Sequence, residues 1–503
     1  MRRRNFLTGV TIAGMVALAG ISSFAKLRQS PNIVWIFSDD HSIQTIGAYG
    51  GRFKKLNPTP NIDTLARDGM IFKRCYVGNS ICAPSRATLL TGKHSHLNGK
   101  YDNSGGFNQG QQTFPKILRK HGYQTAMIGK IHLPGKMQGF DYWEVLPGQG
   151  RYNNPKFITE EGTTGYKGYV TDIITDKALE WLTEKRDKSK PFMLMIHHKA
   201  PHRNWIPAKR DMARYADIDM PEPDNLFDDY KTRTTAAHKQ DMNIKKTMRM
   251  QGDLKVNPGN PRATTGQYAK RNKFFNEHKL EGRDLVKWKY QIYLKDYLRC
   301  IWSVDENIGR VLKYLEDNGL SDNTIVMYSS DQGFYMGEHG WFDKRFMYEE
   351  SFRTPLLVRW PGVVKKGSIN NDLTQNIDFA ETFLDLAGIP IPDDMQGVSL
   401  VPLLKGETPK DWRKYLYYHY YEYPGCHKVR RHEGIAGKRY KLIRFYGKHV
   451  PGGEEWELYD LDKDPKEMNN IYNNPEYATK IKKLKTELSK LKTYYKVPDH
   501  DNR

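Results

Sequence analysis

The sequence predicts an α/β fold: a large sheet domain flanked by helices, with a smaller C-terminal subdomain beside it. Three observations predict it. Short apolar runs alternate with stretches of helical period over most of the chain. Acids, lysines and histidines recur directly after those runs, at the carboxyl ends of strands, where open α/β sheets bind ligands. The 503 residues, 38% of them hydrophobic, can bury one large core or one large and one small.

Taken in order, Met1-Arg2-Arg3-Arg4-Asn5-Phe6-Leu7 is a basic start, followed by an apolar stretch from Leu7 to about Ile21. Ser23-Phe24-Ala25 has the small residues of a cleavage site, so residues 1–25 read as a signal peptide. Arg3-Arg4-Asn5-Phe6-Leu7 is similar to the twin-arginine export pattern, and the expected location is the periplasm. The apolar stretch is short and carries three glycines, and no later segment is long and apolar enough, so no stable membrane span is expected. Ile33–Phe37 is an apolar strand ending in Ser38-Asp39-Asp40. Phe114–Lys120 reads as helix, Tyr123–Ile128 as strand, Asp172–Glu184 as helix and Phe192–Ile196 as strand. Tyr290–Leu315 is a long helix, and Thr324–Tyr328 a strand ending in Ser329-Ser330-Asp331-Gln332-Gly333. Met220 to Arg283 is polar and irregular, an insertion expected over the active face. From about Lys414 the pattern changes to short Tyr-rich strands and then a basic helix from about Glu476 to Leu491. The division that follows is 26–410 for the catalytic domain and 411–503 for the C-terminal subdomain.

The most informative run is Cys82-Ala83-Pro84-Ser85-Arg86-Ala87-Thr88-Leu89-Leu90-Thr91-Gly92. Pro84 suits the first position of a helix and Gly92 the residue just past its end. Cys82 then lies at a helix N-terminus, where free N–H groups and the dipole attract an anion. Arg86 opposes that dipole, which makes sense if an anion sits between Arg86 and Cys82. A lone Cys is usually a buried structural residue, yet a chance Cys-x-Pro-x-Arg occurs in on the order of one per cent of chains this long. The full run resembles the signature of the type I, formylglycine-dependent sulfatases. The resemblance implies that Cys82 is oxidised to formylglycine by a formylglycine-generating or sulfatase-maturing enzyme, and that the hydrated aldehyde is the nucleophile. With Cys82 consumed, only Cys75, Cys300 and Cys426 remain, an odd number that excludes a disulfide-stapled scaffold.

Asp39-Asp40 and Asp331-Gln332 offer hard oxygen ligands that suit Ca²⁺ or Mg²⁺ better than zinc. Alone, an Asp-Asp pair is more often a solvated strand end. The resemblance implies one divalent metal, most often calcium, held by Asp39, Asp40, Asp331 and Gln332 together with the residue made from Cys82. Gln332 departs from the family, many of whose members have Asn or His there. Lys130-Ile131-His132 is similar to the family's Lys-x-His, which contacts the sulfate and the nucleophile. In His198-Lys199-Ala200-Pro201-His202 and the later Gly337-to-Arg345 run, the family places its His at His202 and its Lys at Lys344, both on the sulfate oxygens. By resemblance, Arg86, Lys130, His132 and Lys344 hold charge on the sulfuryl oxygens, and His202, with help from Lys344, protonates the leaving oxygen.

The resemblance runs from Pro31-Asn32-Ile33 to Trp456-Glu457-Leu458-Tyr459-Asp460 and implies an alkaline-phosphatase-like large sheet, with a small C-terminal antiparallel sheet plus helix. A net charge of +21 raises the local concentration of polyanions. Zinc-finger spacing and basic stretches interleaved with aromatics do not occur, so no nucleic acid is expected; the expected partner is a sulfated polysaccharide or oligosaccharide. Aromatic-rich flanks at Trp341, Tyr417, Tyr418 and Tyr423 suggest sugar stacking, and Trp341, His427 and Arg431 are the candidate substrate contacts. The run from Asp331 to Lys344 resembles exported bacterial members acting on glycosaminoglycans or on algal polysaccharides such as ulvan. Two rival readings stand beside this one. A phosphatase or phosphodiesterase of the same fold would want two zinc ions and a Ser or Thr nucleophile. An inactive sulfated-glycan-binding protein would not need every catalytic position filled by a competent residue.

Overall fold

The computed structural model describes residues 30–499, and the signal peptide expected over residues 1–25 lies outside the described residues. Five strands and helices frame the catalytic half: β1 (Asn32–Asp39), α1 (Cys82–Thr91), β2 (Gln124–Gly129), β3 (Phe192–Pro201) and α2 (Gly282–Asp317), followed by β4 (Thr324–Ser330). Every residue of β1, β3 and β4 is buried, as strands covered on both faces require. They pair in parallel in the order β4-β1-β3-β2, with Tyr142–Val145 parallel beyond β2. Leu356–Arg359 closes against β4 antiparallel. Among the described residues the sheet has ten strands.

Side chains alternate between its two faces, so Val34 and Ile36 enter one core cluster with helix α2, whereas Trp35 and Phe37 enter the other with Phe114, Phe379 and Phe383. α2 is 36 residues long and longer at both ends than its apolar period suggests. The helix expected to run to Glu184 ends as α-helix at Glu180 and finishes in one wider turn, Trp181–Lys185. β3 continues past Ile196 to Pro201, so His197, His198 and Lys199 are strand residues. The four strands Leu416–Tyr420, His432–Ala436, Tyr440–Tyr446 and Glu454–Asp460 form an antiparallel sheet in sequence order. The helix α3 (Ala478–Tyr494) packs on it through Leu484 and Leu488. This is the large helix-flanked sheet and the small antiparallel sheet plus helix that the sequence implies. No described helix is long and apolar enough to cross a membrane.

Candidate active site

The carboxyl ends of β1, β2, β3 and β4 converge, because parallel neighbours in register end on the same side of the sheet. They deliver Asp39-Asp40, Lys130, the turn to His202, and Asp331-Gln332. Turning each chain away at once requires unusual backbone. Asp40 and His132 lie at φ 66° and 55°, and Asp343 and Arg345 flank Lys344 at φ 81° and 98°. Such left-handed conformations at non-glycine residues cluster where the surrounding fold holds functional groups in place. Gly129 precedes Lys130 at φ 107°, and a Cβ there would sit 2.0 Å from the His197 carbonyl oxygen. Only glycine lets β2 end there.

α1 begins at Cys82 itself, with Ile81 as its cap, and ends at Gly92 in the left-handed conformation. Pro84 is therefore the third helical residue rather than the first. It costs nothing there either, because the first backbone bond of the helix is Ser85 N–H to Ile81. The Ala83 N–H is met by Asn103 Oδ1 at 3.0 Å. Arg86 finds its counter-anion inside the protein: its Nε and Nη2 lie 3.2 and 3.1 Å from Asp331 Oδ2, and Nη2 lies 3.6 Å from Asp39. The anion expected between Arg86 and Cys82 is thus, in this structure, a carboxylate.

Asp39, Asp40, Asp331 and Cys82 bring ligand atoms within 4.8 Å of one another, all buried. Lys130 pairs with Asp39, and Lys344 donates to both Asp40 oxygens at 2.6 and 2.8 Å. Three carboxylates therefore meet three cations, Arg86, Lys130 and Lys344. Gln332 gives its amide N–H groups to Asp40 and to Asp331, and lies 4.0 Å from Cys82 Sγ. Its Oε1, like Asp39 Oδ1, is buried with no hydrogen-bond donor. Unmet acceptors in a cluster of hard oxygens fit a divalent cation such as Ca²⁺, for which carboxylate and amide oxygens are the ordinary ligands. His197 and His198 are buried but contribute to no such group among the described residues.

Burial sets the protonation of these groups. It pushes the Cys82 thiol up to about 12, against the pull of Lys344, so an unmodified Cys82 is a poor nucleophile. Burial raises Asp331 too, but Arg86, Lys344 and Lys130 together carry it below its ordinary value. Burial works against the charge of Lys344, yet Asp40 and the neighbouring acids hold it above its ordinary value. Burial, then Lys130 and Arg86, takes His132 down to about 2. His202 lies with Nε2 3.8 Å from Asp40, and its Nδ1 donates to the Arg203 carbonyl at 2.6 Å. That leaves Nε2 as the atom facing the reaction centre.

The insertion does lie over this face. Ile244 N–H reaches the Gly340 carbonyl and Phe342 N–H the Met242 carbonyl, bracing the loop that carries Lys344. Arg203, next to His202, is clamped by Asp253 at 2.6 and 2.7 Å.

Two expected substrate contacts, Trp341 and His427, need correction. Trp341 is fully buried, stacked on Phe346 and Tyr348, with its indole N–H on Tyr230, so it has no face to offer a sugar. Tyr417 and Tyr418 are equally buried. His427 is 3% exposed and both its nitrogens are engaged, one by the Asp241 carbonyl and one by Asp343 at 3.1 Å, so it holds Asp343 beside Lys344. Arg431 donates to the Tyr421 carbonyl and lines a small recess with Tyr423 and His449. Sequence reasoning also missed participants. Gln149 accepts from Lys130, and Asn103 serves the Cys82 helix. Lys199 lies buried over the Tyr152 ring at 4.8 Å, its pKa drawn down to about 8 by burial. Gln149 and Asn103 sit in loops without periodicity and gave no signal; Lys199 lay inside a quoted motif.

Comparison with known proteins agrees with this geometry. The sulfatase family model matches residues 31–389, and the model for the C-terminal part of N-sulphoglucosamine sulphohydrolase matches residues 337–494. An N-acetylglucosamine-6-O-sulfatase of Bacteroides thetaiotaomicron is 49% identical over 94% of this chain and 88% of its own. An ulvan-active sulfatase of Formosa agariphila is 27% identical over 92% of this chain and 79% of its own. A solved structure, 48% identical and described as a complex with its substrate D-glucosamine-2-N,6-O-disulfate, superposes with a TM-score of 0.90 over 94% of this chain and all of that one.

Proposed function

The chain belongs to the sulfatase family, and from that premise we propose that it removes the 6-O-sulfate of an N-acetyl- or N-sulfoglucosamine residue in a glycosaminoglycan-type saccharide. The observation that carries the substrate is the 49% identity, spread over nearly the whole chain, to an N-acetylglucosamine-6-O-sulfatase; identity to the ulvan-active relative is 27%. In this reading Cys82 is converted to formylglycine, and Asp39, Asp40, Asp331 and Gln332 hold one Ca²⁺. When present, the modified side chain supplies an oxygen nucleophile, and the cation supplies the charge that keeps that oxygen reactive.

The rest is done by side chains whose positions are fixed by the fold. Arg86, Lys130 and Lys344 balance the three carboxylates one for one, so a divalent cation added to the oxygens leaves a surplus of positive charge. That surplus suits a sulfate monoester, and it develops inside a buried site where charges are weakly screened. His132, held at a left-handed turn beside Lys130, contacts the sulfuryl group as a neutral ring. Burial and then Lys130, Lys199 and Lys344 hold the free His202 ring neutral, with its one proton on Nδ1 at the Arg203 carbonyl. Entry of the anionic sulfate offsets those cations, so that Nε2 takes up a proton from solvent and passes it to the departing sugar oxygen. The thiol of unmodified Cys82, pushed up to about 12, argues against a thiolate mechanism, and the carboxylate- and amide-rich donor set at Asp39, Asp40, Asp331 and Gln332 suits calcium better than the two zinc ions of a phosphatase.

Cys82 is 1% exposed on a helix buried along its whole length. A maturing enzyme therefore reaches it before folding is complete. The basic, apolar N-terminal segment supports export to the periplasm, through the twin-arginine route suggested by Arg3-Arg4. Fractionation of cells carrying Arg3→Lys with Arg4→Lys tests this, and retention in the cytoplasm is the expected outcome.

The substrate is tested by assaying protein made with a maturing enzyme on N-acetylglucosamine 6-sulfate, glucosamine-2-N,6-O-disulfate, a sulfated rhamnose and an aryl phosphate. Release of the 6-sulfate from the amino sugars, well above the others, is expected. A preference for sulfated rhamnose would move the reading to algal polysaccharide, and a preference for the phosphate would return it to the phosphatase.

A further inference from the structure

Beside the reaction centre lies an open cavity of about 690 Å³, of whose lining residues only His132 serves the reaction proposed above. It lies between the turn after β2, the strand Tyr142–Val145 with its following loop, and the edge residues Ile158–Glu160. Its volume falls in the range of small-ligand pockets, roughly 300–1,000 Å³. At the inner end are His132 and Asn103, the latter bonded to the N–H of the residue after Cys82. The cavity therefore abuts the catalytic helix. The floor is apolar: Leu133, Met137 and Leu146 are buried, and Trp143 is half-buried, so that part of its ring remains uncovered. The outer rim is charged and open, with Lys136 and Glu160 3.7 Å apart and about three-quarters exposed.

We propose that this pocket is the subsite for the sugar residue linked to the sulfated one, with that neighbour lying against Trp143. The proposal rests on the sulfatase reading. A pyranose has an apolar C–H face and a rim of hydroxyls. Its complement is an apolar floor with one rigid aromatic ring and polar groups at the ends. Asn103 within and Thr159, Lys136 and Glu160 outside are those ends. The exposed rim lets a longer chain continue into solvent, which a closed pocket for a monosaccharide would not allow. A sulfate alone is far smaller than the cavity and would leave the apolar floor bare.

The test compares a 6-sulfated monosaccharide with a disaccharide carrying the same sulfated residue, in the wild type, in Trp143→Ala and in Thr159→Trp. The second variant blocks the mouth from a half-buried rim position and guards against loss of folding in the first. The wild type is expected to show a KM for the disaccharide about two- to twelvefold below that for the monosaccharide, as one aromatic contact of roughly 0.5–1.5 kcal/mol provides. Either variant should erase that advantage while leaving kcat and KM for the monosaccharide unchanged. Equal KM values for the two sugars in the wild type, or variants that raise both alike, would overturn the subsite and leave the sulfatase reading intact. Hydrolysis of neither sugar would overturn the substrate reading and the subsite with it.

Discussion

Two of the buried clusters of acids and lysines among the described residues are balanced in different ways. At the reaction centre three carboxylates meet three cations, yet Asp39 Oδ1 and Gln332 Oε1 still have no donor. Against the C-terminal sheet, one lysine, Lys441, lies 2.8 Å from both Glu349 and Glu467, with Arg353 3.6 Å from Glu349. Burial pushes Glu467 up to about 7, against the pull of Lys441, because Arg353 pairs with Glu349 and Lys441 is shared between the two acids. Tyr348 and Tyr459 pack against this side and direct their hydroxyls to Glu457. The first cluster keeps surplus acceptor oxygens at the carboxyl ends of β1 and β4. In the second, Lys441 and Glu467 are fully buried, while Glu349 and Arg353 reach a surface recess. Chemistry is served by the first arrangement and cohesion by the second.

Changes at the centre should therefore abolish turnover and spare the fold, and changes at Lys441 should do the reverse. The largest effect expected is on removal of the cation: a chelator should abolish hydrolysis and Ca²⁺ should restore it, with a rise in Tm on rebinding because only the folded protein holds the site. Recovery with zinc but not calcium would break the assignment of the oxygens. Next, His202→Ala should lower the rate on sugar sulfates about 10²–10⁴-fold, with a far smaller loss on an aryl sulfate whose leaving group needs little protonation. Equal losses on both would make His202 a sulfate contact and not the acid. At the other cluster, Lys441→Met leaves Glu467 without its cation and Glu349 with Arg353 alone, and should cost about 3–5 kcal/mol of stability in denaturant titration. Activity per folded molecule should stay near wild type.

The smallest effect concerns pH. Glu467 holds its proton more tightly folded, at about 7, than at its ordinary 4.5. Folding takes up a proton between those values, so its contribution is full below about 4.5 and is lost as pH rises through about 7. Glu467→Gln, which keeps the neutral form, should gain in Tm relative to wild type as pH is raised across that window. A constant difference in Tm would mean that Glu467 is ionised throughout.

Much of this was legible in the sequence, and the boundary has physical reasons. β1, β2, β3 and β4 announced themselves because strands buried on both faces read as unbroken apolar runs, and the chemistry follows directly after them. The run at Cys82 carried its helix, with an error of two residues in where the helix starts, because Pro is tolerated at several positions of a first turn. Trp341 was misread because an aromatic beside a functional lysine looks the same whether it faces a sugar or the core; its contacts with Phe346 and Tyr348 depend on the return of the chain from the C-terminal sheet. Gln149 and Asn103 were unreadable because each acts through a loop whose course is set by distant packing. The Lys441 cluster joins residues about a hundred apart in the chain and left no local pattern.

The central claim is that the residue at position 82 of the working enzyme is no longer a cysteine. Its most direct test is the mass of the proteolytic peptide spanning Cys82, from protein whose specific activity has been measured in the same preparation. The account predicts a fraction of peptide that has lost sulfur and two hydrogens and gained one oxygen, reactive toward a hydrazide, and a specific activity that scales with that fraction. Cys82→Ala should show neither the aldehyde nor activity. Full activity in a preparation whose peptide carries only the intact thiol would contradict the account.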